Sequence, residues 1–189
     1  MLLAACEPID FPGARPSEDQ VSAVTLRGGD ITIAAPAGYC VDVPNSDLER
    51  GFVLMGGCDV LTRGQAFGPV NSGVIVASVS AERADALVSP QALAASYSPS
   101  EVLDSDTTEG VSLIHLADGG QEHIPKGEPR NWQGVATVNG YLILMSVYSE
   151  QDGTAARASG GDLIVTLAQN IRLNSPFRML PKPPRLRPV

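Results

Sequence analysis

The strongest constraint on how this chain folds is a dipeptide. Asn139-Gly140 separates two largely apolar, strand-forming runs, Gln133–Val138 and Tyr141–Tyr148, and its residues tolerate the positive φ that a two-residue type I′ turn requires. The spacing predicts an antiparallel hairpin. Similar punctuation recurs: Gly28-Gly29 between Ser22–Arg27 and Asp30–Ala34, Pro36 to Gly38 ahead of a strand through Cys40, and Asp118-Gly119-Gly120 at a further expected hairpin. Gly73–Ser80 is mostly apolar at both parities, the pattern of a central strand covered on both faces.

Two segments break this rhythm. Ser89-Pro90 opens a stretch of helix formers that runs to Tyr97, with Ser as N-cap and Pro in the first turn. From Gly161 to Leu173, a stripe of Leu163, Val165, Leu167, Ala168 and Ile171 recurs at helical spacing. Asp162 and Arg172 sit at the ends where the helix dipole favours their signs, and Asn174 and Pro176 mark the stop. Neither segment reaches the roughly 18 apolar residues of a membrane span. Strands in runs, then a helix that must bury a stripe against them, specify an α+β fold: a largely antiparallel sheet with a C-terminal helix packed on it. A chain of 189 residues buries roughly 70% of the surface its unfolded form exposes, enough for one core.

Ile31–Ala34 leading into Ala35-Pro36-Ala37-Gly38-Tyr39, the strand pair ending at Tyr148 and the closing helix over Asp162–Ile171 resemble the plan of the Mog1/PsbP-like proteins. In that family an apolar strand enters a Pro-Xaa-Gly-aromatic turn and a final helix packs across the sheet. The resemblance covers residues 30–173 in outline and is carried as a motif by Ala35–Tyr39. It implies a sandwich used mostly for binding protein partners, with no catalytic residues to transfer.

Leu3-Ala4-Ala5-Cys6 resembles the bacterial lipobox, in which a signal peptide is cut before a cysteine that then carries lipid. Glu7–Gln20 is rich in Pro and polar residues, as a flexible tether is. Only Met1 to Ala5 precede the cysteine, whereas a signal needs a basic n-region and an apolar stretch of about 7–15 residues. The expectation is a start upstream of Met1; the alternative is an ordinary cytosolic N-terminus with a small buried cysteine. The resemblance implies lipidation of Cys6, with each buried CH₂ of the acyl chains contributing about 0.8 kcal/mol to anchoring.

Cysteine number fits that compartment. Assigning Cys6 to lipid leaves Cys40 and Cys58 as a pair. Both lie in apolar, strand-like runs, and they are either a disulfide or two free buried thiols. No CxxC and no nearby histidine completes a metal set around them.

The net charge of −8 hides an asymmetry. All 21 Asp and Glu residues fall between Glu7 and Asp162 among only 8 Lys and Arg, whereas the last 27 residues carry Arg172, Arg178, Lys182, Arg185 and Arg187 with no acid. An acidic body without basic stretches interleaved with aromatics excludes nucleic acid as a partner. The tail, Pro-rich and extended, reads either as a hook for an acidic partner or anionic headgroups through Lys182, Arg185 and Arg187, or as an end that folds back on the acidic body.

Chemistry is sparse. His115 and His123 flank the turn expected at Gly119. In an antiparallel hairpin they would lie nearly opposite, with Asp118 and Glu122 close by, a conceivable metal or acid–base site. Two histidines on a solvent-facing hairpin need no such role. No G-x-S-x-G, G-x-x-x-x-G-K-[ST] or G-x-G-x-x-G is present, and Lys126 and Lys182 are the only lysines, which removes nucleophile-elbow hydrolases and phosphate-binding loops. Arg130 and Trp132 are residue types that anchor interfaces; a Trp opening a hairpin strand serves equally as core.

The expected organisation is a signal-peptide remnant at residues 1–5, a lipid-anchored tether at 6–20, one α+β domain at 21–175 and a Pro-rich basic tail at 176–189. The expected function is a non-enzymatic envelope lipoprotein that binds an envelope protein or small ligand without a cofactor. It would face the periplasm from a lipid anchor, in the outer membrane rather than the inner. The rival is a periplasmic enzyme, hydrolytic or metal-dependent, built around His115 and His123.

Overall fold

Asn139 and Gly140 do take left-handed φ values of 50° and 82°, and the hairpin they close, β8 (Asn131–Val138) and β9 (Tyr141–Ser149), lies near the middle of the sheet. The computed structural model describes residues 20–61, 73–84, 87–124 and 126–177; Cys6, the tether up to residue 19, Lys182, Arg185 and Arg187 lie outside them. The remaining strands are β1 (Ala23–Leu26), β2 (Ile31–Ala34), β3 (Tyr39–Val41), β4 (Phe52–Gly57), β5 (Gly73–Arg83), β6 (Val102–Thr108) and β7 (Val111–Leu116). The helices are α1 (Cys58–Leu61), α2 (Pro90–Ser96) and α3 (Ala158–Asn174).

Seven strands form one antiparallel sheet in the order β3-β4-β5-β9-β8-β7-β6, and β1 and β2 pair separately. The fold is α+β, with the C-terminal helix on the sheet. One face is sealed by α3 and the β1–β2 hairpin: Ile31, Ile75, Ile143, Met145, Ile164 and Ile171 share one fully buried cluster. Gly134 on β8 lets α3 settle, since a Cβ there would stand 2.5 Å from Ile164 Cγ2. Among the described residues, the opposite face is covered only in part, where α2 lays Leu93 over Ile114, Leu116 and Val135. Ser89 caps that helix by accepting from the Ala92 N–H at 3.2 Å.

Cys40 on β3 and Cys58 at the start of α1 form a disulfide that closes 18 residues of chain, worth about 3 kcal/mol in the chain-entropy view. It ties down the short edge of the sheet.

Three expectations need correction. The hairpin at Asp118-Gly119-Gly120 does not form: β7 ends at Leu116, a 3₁₀ turn occupies Gly120–Glu122, and the partner strand is β8, with His115 opposite Trp132. Pro129 O accepts from the Gly120 N–H at 2.8 Å, and a Cβ on Gly120 would meet Glu128 O at 2.3 Å. These glycines therefore permit a close backbone crossing in a wide loop. Second, α3 begins at Ala158, ahead of Gly161, and its buried stripe is phased on Ile164 with Leu167, Ala168 and Ile171, leaving Leu163 and Val165 half-buried. Third, β5 is central but covered on one face only: Ile75, Ala77 and Val79 are buried, and Val74, Val76 and Ser78 are half-exposed. The exposed edge strand β6 was not expected at all, because Asp104 and Asp106 hide its β character from composition.

Candidate functional site

Residue alternation on the strands distributes the chemistry. On the sealed face, His115 stacks on Trp132 with ring centroids 4.4 Å apart and planes within 3°. The Trp132 Nε1–H donates to Arg157 O at 2.7 Å, and His115 Nε2 lies 3.0 Å from Ala156 O, which as a carbonyl can only accept. Burial lowers the His115 pKa from its usual value; the Ala156 carbonyl opposes this, and the nearby Arg130 charge adds to it. Trp132 is 8% exposed and lies against the α3 backbone at Gly160 and Gly161. Its ring is used in the core, while Arg130 pairs with Glu128 at 3.1 Å.

His123 is elsewhere. Its ring lies 4.4 Å from that of Tyr148, and on β9 Tyr148 alternates with Val147, a member of the sealed core. The two histidines are thus on opposite faces of the sheet and do not make one site. Among the described residues no group of three His, Cys, Asp or Glu side chains is placed to hold a metal.

Among the described residues, a cavity of about 400 Å³ lies between α2 and the sheet, and His123 and Tyr148 both line two further cavities of about 480 Å³ each on the open face. One is apolar, built from Phe52 and Leu54 on β4, Val74 and Val76 on β5, and Ile124. The register explains it: Leu54 pairs with Val76, and Val74 with Tyr148, so these side chains form one continuous surface across three strands. The other is polar, walled by Tyr97, Asp118, Glu122, Asn131 and Gln133.

Beneath the polar cavity runs a buried relay of hydrogen bonds. Asn131 Nδ2 donates to the main-chain carbonyls of Asp118 at 2.7 Å and Pro129 at 3.3 Å. Gln133 Nε2 donates to Asn131 Oδ1 at 2.7 Å, and Gln133 Oε1 accepts from the hydroxyls of Tyr97 at 2.9 Å and Ser146 at 2.5 Å. Gln133 and Asn131 are each 2% exposed, so the relay is what makes their burial tolerable. Burial pushes the Tyr97 pKa up to about 12, helped by the nearby Tyr148, which keeps it a neutral phenol at physiological pH.

None of Tyr97, Asn131, Gln133 and Tyr148 stands out in the sequence as a site residue. The readable signal was the polar pair Asn131 and Gln133 at one parity of an otherwise apolar strand, beside Trp132 at the other.

No family model matches the chain, and no curated protein matches it. Among solved structures it is similar to the Ran-binding protein Mog1p of Saccharomyces cerevisiae, at 16% identity over 80% of this chain and 92% of that one, with a TM-score of 0.47. It is also similar to cyanobacterial PsbP (CyanoP) from Synechocystis, at 11% identity over 88% of this chain and 96% of that one, with a TM-score of 0.42. At these identities and TM-scores the likeness carries nothing about function.

Proposed function

We propose that this chain is a non-enzymatic binding module of a bacterial envelope, held by lipid on Cys6 and taking its ligand in the cleft on the open face of the sheet. The observation that carries the binding role is the unequal cover of the sheet. Where the sealed face buries its apolar side chains under α3 and the β1–β2 hairpin, the other face keeps adjoining apolar and polar cavities, the polar one floored by a buried relay. Cavities of this size, mostly apolar with a few convergent polar groups, are the usual form of a small-molecule site. The Cys40–Cys58 disulfide suits an oxidising compartment, which supports placement facing the periplasm, with the outer membrane preferred to the inner. Lys182, Arg185 and Arg187 are proposed as a second contact, to an acidic partner or headgroups.

Two measurements test this reading. The full chain should enhance Nile red fluorescence, and Val76→Glu should abolish the enhancement while the melting temperature stays within a few degrees; Leu54→Gln serves as a second variant if Val76→Glu does not fold. Enhancement that survives folded variants of both kinds contradicts the cleft. The intact mass of protein from its native host should show Cys6 as a lipid-modified N-terminus; a reduced, unmodified chain retaining Met1 contradicts the anchor.

A further inference from the structure

The direction of the buried relay determines what the cleft can bind. Asn131 Nδ2 faces two main-chain carbonyls, which can only accept. That orientation forces Asn131 Oδ1 toward Gln133 Nε2 and Gln133 Oε1 toward the hydroxyls. Tyr97 must therefore spend its one proton on Gln133, and what it leaves for a ligand in the cavity it lines is an oxygen lone pair. The rim adds two exposed carboxylates, Asp118 and Glu122, and among the described residues no Lys or Arg lines either cavity.

A second observation lies between the two halves. Tyr148 is 8% exposed and lines both cavities, as does His123. The two residues join the apolar and polar halves, so a ligand that occupies both lies against the Tyr148 side chain.

We infer that the ligand is a small amphipathic amine, with its ammonium among the Tyr97 oxygen, Asp118 and Glu122, and its hydrocarbon arm on Leu54, Val74 and Val76. An ammonium carries three donors and no acceptor, matching a polar end whose neighbouring groups offer acceptors and negative charge. A carboxylate of the same length would meet two like charges there. This inference rests on the cleft being the binding site, and the test separates the two.

Isothermal titration of the full chain at pH 7 with octylamine, octanol and octanoate provides it. Octylamine should bind about tenfold more tightly than either other probe, equivalent to about 1.4 kcal/mol. The paired substitution Asp118→Asn and Glu122→Gln, both at exposed positions, should bring octylamine to within about threefold of octanol, and Val76→Glu should weaken all binding. Octanol or octanoate binding as well as octylamine overturns the amine and leaves the cleft standing. A preference for octylamine that persists in the doubly neutralised variant overturns it also. If no probe binds, or if Val76→Glu changes nothing, the cleft and the amine both fall.

Discussion

The two faces of the seven-stranded sheet are built from the same kinds of strands yet finished in opposite ways. Under α3, Ile75, Ile143, Ile164 and Leu167 are at zero exposure, glycines admit the helix, and the few polar groups, such as the Trp132 indole N–H, are paired to main-chain carbonyls. On the other side, a helix of seven residues covers one region, and Phe52, Leu54, Val74 and Val76 remain half-exposed around a cavity. Apolar surface in this molecule is thus treated in two ways: one face holds the fold together, and the other, on the function proposed above, is kept for a ligand.

If that division is right, substitutions should cost stability in proportion to their face. Ile164→Ala should have the largest effect, lowering unfolding free energy by about 3–4 kcal/mol in a denaturant titration, whereas Val76→Ala should cost about 1 kcal/mol or less because its side chain already meets solvent. Equal losses at the two positions would erase the contrast. Replacing Cys40 and Cys58 together by Ala should cost about 3 kcal/mol by the same titration, with probe binding retained, since neither lines the cleft. Gly160→Ala follows at about 2 kcal/mol, because the new Cβ would lie 2.1 Å from Ala155 O and 2.6 Å from Trp132 Cδ1, neither of which is a yielding side-chain tip.

The smallest effect is a pH dependence. Burial sets the folded pKa of His115 below its ordinary value, so on acidification the unfolded chain takes the proton first. Stability contributed by the neutral ring is full above about pH 6.5 and declines as pH falls below it. In thermal melts between neutral and mildly acid pH, His115→Phe should flatten that part of the profile.

Much of the frame could be read directly from residues. Asn139-Gly140 allows one tight turn and few alternatives, and Ser89-Pro90 is a helix start for stereochemical reasons, so both elements appear where spacing placed them. The pairing of Cys40 with Cys58 also agrees. Other features were illegible because one composition serves two geometries. Gly119-Gly120 suits a hairpin turn and equally a close crossing beneath Glu128 and Pro129, and only long-range packing decides between them. Gly73–Ser80 is apolar at both parities, but apolarity does not distinguish a face under a helix from one kept open. The site was hidden for a related reason: Gln133 and Asn131 become notable only when Tyr97, distant by 36 residues from Gln133, arrives above them on the end of α2.

The division of faces is tested most directly by methyl-resolved NMR of the full chain during titration with octanol, a neutral probe that does not presuppose the amine. Shifts should concentrate on Leu54, Val74, Val76 and Ile124, with Ile164, Leu167 and Ile171 unmoved. Shifts spread over both sets, or confined to the methyls under α3, would contradict the assignment of binding to the open face.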